Sequence, residues 1–275
     1  MPNVIDITNQ FPPTRERTVL LELLRIVRNL QNEGIEFVIC GGWVPFLKQL
    51  ASESETAHSM SLDIDLLLRK AAREREVVDR VRALLIGGME FERSSTHTFR
   101  YEKKVEGNVV QLDLLADFSR TDESEPVRRI QGLNSSLDLC LVDGAEDLGG
   151  HVEAIRIGWL DAGKTETCDI TIPDQVGFLL LKAEVCRYRE TPKDPYDIYY
   201  YCRYSEEPNL IRQKLEAAIE EPAVRRTVDA LRQMFQHMDS KWVELALDHM
   251  NIVGEERDRE ARFIVRAVTK VIEGL

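Results

Sequence analysis

Leu-Asp-Ile-Asp-Leu-Leu-Leu, residues 62 to 68, is an apolar segment that two aspartates interrupt at a spacing of two. Successive residues of a β-strand point to opposite faces of the sheet, so Asp63 and Asp65 are predicted to share one face of a short strand. An ionised carboxylate that is buried without a partner is costly, and a compensating group is therefore expected beside this pair. The segment predicts a central strand that carries an anionic site.

A strand and a glycine turn precede this segment. Residues Glu36 to Cys40 (EFVIC) are predicted to form a strand that runs into Gly41-Gly42, and residues Trp43 to Leu50 follow with a helical pattern. Backbone N–H groups at a helix N-terminus bind phosphate well where glycine leaves no side chain in the way. A tight turn that lets the strand and the helix pack is the alternative explanation of the two glycines.

A hairpin is predicted downstream. Residues Thr96 to Val105 and Val109 to Leu115 read as two strands joined by Glu106-Gly107-Asn108, and Asp113 lies in the second strand. If this strand neighbours the first aspartate strand, three carboxylates converge, and Mg²⁺ prefers such oxygen ligands. The alternative is that the aspartate pair lies on an exposed edge strand with Asp113 elsewhere.

The remaining elements follow from hydrophobic periodicity and turn residues. In the first part of the chain we predict helices at Thr14 to Asn32 and Ala71 to Ile86, a loop at Ala51 to Ser61, and a second hairpin at Val152 to Ile157 and Cys168 to Ile172. After Pro173 we predict helices at Gln175 to Glu190, Pro195 to Arg203, Asn209 to Glu220, Ala223 to His237, Lys241 to His249 and Glu256 to Ile272. The prediction is an α+β protein in which residues 1–173 form a mixed β-sheet flanked by helices and residues 174–275 form a helical domain.

Composition excludes several classes of protein. The formal net charge of -12 argues against sequence-independent coating of nucleic acid, although a local basic groove is compatible with it. The chain contains no run of about 20 apolar residues, so no membrane partner and a cytoplasmic location are expected. The five cysteines form no C-x-x-C pair and are expected to be reduced, buried thiols.

The order strand, Gly-Gly, helix, Asp-Ile-Asp strand and later strand aspartate resembles the nucleotidyltransferase superfamily that includes DNA polymerase beta. Residues 40–46, 61–67, 111–116 and 193–200 are similar to the abortive-infection (AbiEii-type) nucleotidyltransferases, the toxins of toxin–antitoxin pairs. The similarity covers about residues 20 to 203. It implies a nucleotidyltransferase fold followed by a helical domain, and Mg²⁺-dependent transfer of a nucleoside monophosphate from an NTP such as ATP.

The resemblance also implies roles in the first part of the chain. Asp63, Asp65 and Asp113 would hold Mg²⁺, and Asp113 would complete the site as the general base toward the acceptor hydroxyl. The nucleotide-binding positions would be Gly41, Gly42 and Ser61.

In the helical part, the resemblance adds Lys182, Lys193 and Asp194, with Arg189 as a further nucleotide-binding candidate. The lysines would contact the NTP phosphates, and Asp194 or Asp197 would orient a lysine or the acceptor. Structural explanations stay open for these residues. Asp194 stands before a proline and suits a helix N-cap, Asp197 suits the first helical turn, and Lys182 could extend its charged end to solvent.

The implied partners are an NTP and an acceptor: RNA such as a tRNA 3′ end, a protein hydroxyl, or a small molecule of the aminoglycoside kind. An antitoxin protein is a further partner that the resemblance implies. A binding module without catalysis is a third hypothesis, which three intact aspartates disfavour.

A phosphate-binding P-loop is the main alternative to the aspartate site. Gly158 to Thr165 (GWLDAGKT) matches the phosphate-loop pattern and would make the chain an NTPase or kinase. A P-loop opens a helix, however, whereas Glu166 to Pro173 alternates as a strand does. We therefore predict that Asp161 to Lys164 is a hairpin turn.

Overall fold

The computed structural model describes residues 4–5, 14–52, 61–69, 75–117, 139–142, 145–161, 163–204 and 208–275. The chain divides into two compact units, the first comprising Met1–Glu146 with Val152–Pro173 and the second Asp147–His151 with Asp174–Leu275. Residues 147–151, which precede the predicted boundary at Pro173, thus belong to the second unit. The first unit holds the described strands and the second is helical, so the predicted α+β class is confirmed.

The strands of the first unit are β1 (Val4–Ile5), β2 (Phe37–Cys40), β3 (Asp63–Leu68), β4 (Glu92–Arg93), β5 (Arg100–Val105), β6 (Asn108–Asp117), β7 (Cys140–Val142), β8 (Val152–Asp161) and β9 (Lys164–Pro173). Its helices are α1 (Arg15–Asn32), α2 (Trp43–Ser52) and α3 (Arg75–Ala83), and α3 continues as a π-turn at Leu84–Gly88. The helix predicted to reach Ile86 thus changes from α to π geometry after Ala83, and residues 71–74 lie outside the described part. Ala51 and Ser52, which were predicted to begin a loop, belong to α2 instead, and residues 53–60 of that predicted loop lie outside the described part.

The larger sheet is mixed, as predicted. Its order is β2-β3-β6-β5-β4, with β7 also paired to β6. Strand β3 is parallel to β6 and antiparallel to β2, so it lies inside the sheet. The alternative of an exposed edge strand is wrong. Ile64 and Leu66 to Leu68 are buried, as is expected of a strand that has a neighbour on each side and apolar residues packed against it.

The β5–β6 hairpin has a tighter turn than predicted. Val105 pairs with Asn108, which leaves only Glu106 and Gly107 in the turn. Both have positive φ, 50° and 82°, as a two-residue hairpin turn of type I′ requires. The predicted turn was one residue too long, and this difference decides which residue of β5 lies opposite Asp113.

The smaller sheet has the order β1-β8-β9, in which β8 and β9 form a long hairpin. Their pairing runs from Val152 opposite Pro173 to Asp161 opposite Lys164. The predicted hairpin turn is thus confirmed, and its strands extend further than expected. Gly158 and Lys164 lie in two antiparallel strands, not at the N-terminus of a helix, so the P-loop pattern lacks the geometry that phosphate binding needs.

The second unit contains α4 (Gln175–Cys186), α5 (Lys193–Tyr204), α6 (Pro208–Ala217), α7 (Pro222–Met234), α8 (Lys241–His249) and α9 (Glu255–Ile272). The predicted helices are confirmed, with ends that differ by a few residues. Leu231, Leu247 and Ile264 are fully buried and belong to the core of this unit. Among the described residues, no helix combines the length and apolarity needed to cross a membrane.

The cysteines are free, as expected. Four of the five are buried, and Cys140 is partly exposed. Burial raises the pKa of Cys168, Cys186 and Cys202 to about 12, so these thiols stay protonated at neutral pH.

Candidate metal centre

The candidate site is built on one row of residues that crosses four strands of the larger sheet. Cys40 of β2 pairs with Asp65 of β3, Asp65 pairs with Asp113 of β6, and Asp113 pairs with Arg100 of β5. Laterally paired residues point to the same face of a sheet, and Asp63 shares that face because it lies two residues before Asp65. Strand pairing thus brings the predicted aspartates together.

The three carboxylates converge closely enough to share one ion. Asp63, Asp65 and Asp113 each offer an oxygen, and these oxygens lie within 4.8 Å of one another. Asp113 is buried, while Asp63 and Asp65 are partly exposed. The cluster is therefore anchored in the sheet on one side and accessible to solvent on the other.

Arg100 is the one cation seen among these carboxylates in the described residues. Its Nε and Nη2 donate to the two oxygens of Asp113 at 2.6 and 2.7 Å. The hydrogen bond to Asp113 and the nearby charges of Asp63 and Asp65 raise the pKa of Arg100 above its ordinary value. Arg100 was not predicted from the sequence, although a two-residue turn at Glu106-Gly107 would have placed it opposite Asp113.

Ser61 and Trp43 fix the position of Asp63. The Ser61 hydroxyl is buried and donates to the Asp63 carboxylate at 2.5 Å. The indole Nε1 of Trp43, the first residue of α2, donates to the backbone oxygen of Asp63 at 2.8 Å. Ser61, a predicted nucleotide-binding position, thus contacts a candidate metal ligand. Trp43 was not predicted to contribute to the site.

Gly41 is required at its position for two reasons. Its φ of 70° lies in the left-handed region that favours glycine, and a Cβ there would lie 2.0 Å from Oδ2 of Asp65. The glycine therefore makes room for the carboxylate. Gly42 follows directly and is buried at the start of α2. The predicted Gly-Gly turn thus lies against the aspartate cluster.

The donor set suits a hard divalent cation. The cluster brings three carboxylates together beside the Arg100 guanidinium. Carboxylate oxygens are the ligands that Mg²⁺ prefers, and two of the three carboxylates reach solvent. Asp63, Asp65 and Asp113 therefore fit the ion that the sequence pattern implies.

The second unit contains a cluster of charges around Lys182. Its Nζ donates to Asp194 at 2.9 Å and to Asp197 at 2.7 Å. The three side chains are 8%, 2% and 0% exposed. Solvent extension of Lys182 is therefore the wrong explanation. The N-cap explanation of Asp194 is also wrong, because α5 begins one residue earlier and the carboxylate binds cations.

Arg189 and Lys193 complete this cluster from its exposed side. Arg189 donates to both oxygens of Asp194, at 2.8 and 3.1 Å, and Lys193 donates to Asp197 at 3.0 Å. Burial alone would lower the pKa of Lys182, but the charges of Asp197 and Asp194 outweigh it and raise that pKa. Burial would likewise raise the pKa of Asp194, but Lys182 and Arg189 hold it below its ordinary value. Both shifts favour the charged forms of Lys182 and Asp194.

Comparisons of the chain with protein-family models, with curated proteins and with solved structures found no match.

Proposed function

We propose that this protein is a Mg²⁺-dependent nucleotidyltransferase that transfers a nucleoside monophosphate from an NTP to an acceptor hydroxyl. The observation that carries the proposal is the convergence of Asp63, Asp65 and Asp113 within 4.8 Å. Mg²⁺ held by these carboxylates would offset the negative charge of the NTP phosphates. The sequence resemblance to AbiEii-type toxins supports the same chemistry.

The proposed reaction uses residues of the first unit. The acceptor oxygen forms a bond to the α-phosphorus, the bond from that phosphorus to the β-phosphate oxygen breaks, and pyrophosphate leaves. Asp113 accepts the proton of the acceptor hydroxyl, and Arg100 keeps this carboxylate oriented through its two hydrogen bonds. The backbone N–H groups of Gly41 and Gly42, which have no side chains of their own, would bind the phosphates beside the Asp65 carboxylate.

RNA is the acceptor class that we propose first, since the resemblance is to toxin nucleotidyltransferases, and an antitoxin protein would then be a partner. A cationic small molecule such as an aminoglycoside is the second candidate. The net charge of -12 favours it, because an acidic surface attracts cations.

The test is an acceptor screen with each α-labelled NTP and Mg²⁺. Total RNA, total protein and an aminoglycoside are offered separately, and label on the acceptor is measured. We expect label on RNA that is absent with Asp63→Ala and retained with Lys164→Ala. Release of γ-phosphate without transfer, abolished only by Lys164→Ala, would contradict the proposal and support the P-loop alternative.

A further inference from the structure

The last helix of the second unit carries a row of cations that belong neither to the candidate metal centre nor to the Lys182 cluster. Arg262, Arg266 and Lys270 follow one another at a spacing of four in α9 and are exposed. Residues four apart lie on the same face of a helix, and each step advances roughly 6 Å along its axis. The opposite face of α9 is buried through Ala261, Ile264 and Val268. The three cations therefore form one ridge on the solvent side of α9, inclined to the helix axis.

These cations differ from most of the other cations on the surface of this unit. Within the described part of the chain, Arg262, Arg266 and Lys270 make no hydrogen bond or ion pair. By contrast, Arg257 of the same helix pairs with carboxylates at 2.5 and 2.8 Å, and Arg259 pairs with Glu256. Like charges four apart destabilise a helix, and only Lys270 lies in the last turn, where the helix dipole favours a cation. Helix stability alone does not explain the row.

The row contributes to the lining of an open groove of about 430 Å³. Met238 and Val265 supply apolar surface in this groove, and Met238 is 43% exposed. Glu273 is the one carboxylate in the lining, so cations outnumber it three to one. A groove with a cationic wall and an apolar patch suits a ligand with regularly spaced anions and flat, uncharged groups between them.

We propose that this groove, which we call the α9 groove, binds the phosphate backbone of RNA. Two of its three cations are arginines, whose planar guanidinium matches phosphate geometry. A step of roughly 6 Å between cations allows successive phosphates of one strand to be contacted in turn. The apolar patch can contact bases or riboses between them. The inference rests on the proposed function in one respect only, since an RNA acceptor gives the groove its role.

The test measures RNA binding in the absence of NTP. Binding of a short, fluorescein-labelled single-stranded RNA to the full-length protein is followed by anisotropy at several salt concentrations. The groove variant is R262Q/R266Q/K270Q. The control is R187Q/R225Q/R259Q, which removes three exposed arginines that pair with carboxylates and produces the same net charge. Thermal unfolding of both variants checks that they fold.

We expect the groove variant to bind RNA about tenfold more weakly or worse, and the control to bind as the wild type does. The slope of log K against log salt should fall by about two in the groove variant, because each phosphate contact to a single strand contributes about 0.7. Equal loss in both variants, or no loss in either, would overturn the proposal.

A second arm replaces RNA by polyglutamate. Tighter binding of RNA than of polyglutamate supports phosphate recognition, whereas equal or tighter binding of polyglutamate would overturn it and indicate an acidic protein as the occupant. Because this assay contains no NTP, its failure leaves nucleotidyl transfer untouched. Failure of transfer in the acceptor screen likewise leaves the binding result intact.

Discussion

Arg100 holds Asp113 through two parallel hydrogen bonds, at 2.6 and 2.7 Å, from the strand next to it. This pair lies at the end of the aspartate row. Its guanidinium supplies positive charge beside the carboxylates, as a divalent cation at the site would. The guanidinium therefore stabilises the carboxylate cluster in the absence of metal, and a bound cation would take over part of that role.

Removal of this guanidinium should make folding stability depend on metal. Arg100→Gln leaves the buried Asp113 without its counter-charge, so we expect the free energy of unfolding without metal to fall by about 2–3 kcal/mol. Added Mg²⁺ or Mn²⁺ should recover more stability in this variant than in the wild type, because the cation replaces the lost charge. Urea unfolding with and without metal measures both effects.

Arg156→Gln is the matched control. Arg156 donates to Asp169 with the same two distances, 2.6 and 2.7 Å, but both side chains are at least half exposed. We expect little loss of stability and no dependence on metal. A loss in Arg100→Gln that Mg²⁺ and Mn²⁺ leave unchanged would argue against a metal site.

Gly41→Ala should damage the site, whereas Gly34→Ala should only destabilise the fold. Both glycines have positive φ, 70° and 66°, so each substitution should cost about 1–2 kcal/mol of unfolding free energy. Only at position 41 does the new Cβ meet a carboxylate, that of Asp65; at Gly34 nothing lies within 4 Å. We expect Gly41→Ala alone to weaken Mn²⁺ binding by about tenfold or more, as measured by titration calorimetry. Equal Mn²⁺ affinities in the two variants would contradict this account of Gly41.

Lys182 should be one of the most important side chains for the stability of the second unit. Lys182→Met leaves Asp194 and Asp197 buried with fewer partners, and we expect the free energy of unfolding to fall by about 3–5 kcal/mol. Arg189→Gln removes a cation that is 58% exposed from the same cluster and should cost under about 1 kcal/mol. Similar values for the two variants in urea unfolding would show that burial does not decide the contribution of these cations.

The same cluster predicts a pH dependence. The pKa of Asp194 is lowered in the folded protein, so its contribution is present above the ordinary pKa of an aspartate, near 4, and is lost as pH falls through the lower folded value. The pKa of Lys182 is raised, so its contribution is present below the ordinary lysine value, near 10.4, and is lost only as pH rises beyond it. We therefore expect Asp194→Asn to be less stable than the wild type by a constant amount from about pH 5 to 9, and by less below about pH 4. A difference that grows on acidification would contradict this assignment.

Local sequence patterns were sufficient to predict the central strand and the hairpin turn at Asp161 to Lys164. Alternation in residues 62–68 predicted that Asp63 and Asp65 share a face, and the strand lies inside a mixed sheet as its apolar residues require. The hairpin at Asp161 to Lys164 also followed from local pattern, because a P-loop would need a helix where the sequence alternates. Short strands such as β1 and β7, of two and three residues, have too few positions to show a period.

Contacts between distant residues could not be predicted in the same way. One residue of turn length decides whether Arg100 or its neighbour lies opposite Asp113, and turn length is weakly encoded in Glu106-Gly107-Asn108. The hydrogen bond from Trp43 to the backbone of Asp63 joins residues that are 20 positions apart. Asp194 looked like a helix cap because its partner Lys182 lies on another helix. Each of these contacts depends on how elements that are distant in the sequence pack together.

The most direct test of the central claim is a comparison of wild type with Asp63→Asn for transfer of labelled AMP from α-labelled ATP to RNA. Pyrophosphate is measured in the same reaction, and thermal unfolding confirms that the variant folds. We expect the wild type to label RNA and release one pyrophosphate for each AMP transferred, only with Mg²⁺, and Asp63→Asn to do neither. Transfer that persists in Asp63→Asn, or that proceeds with Mg²⁺ chelated, would contradict a catalytic metal centre at the three aspartates.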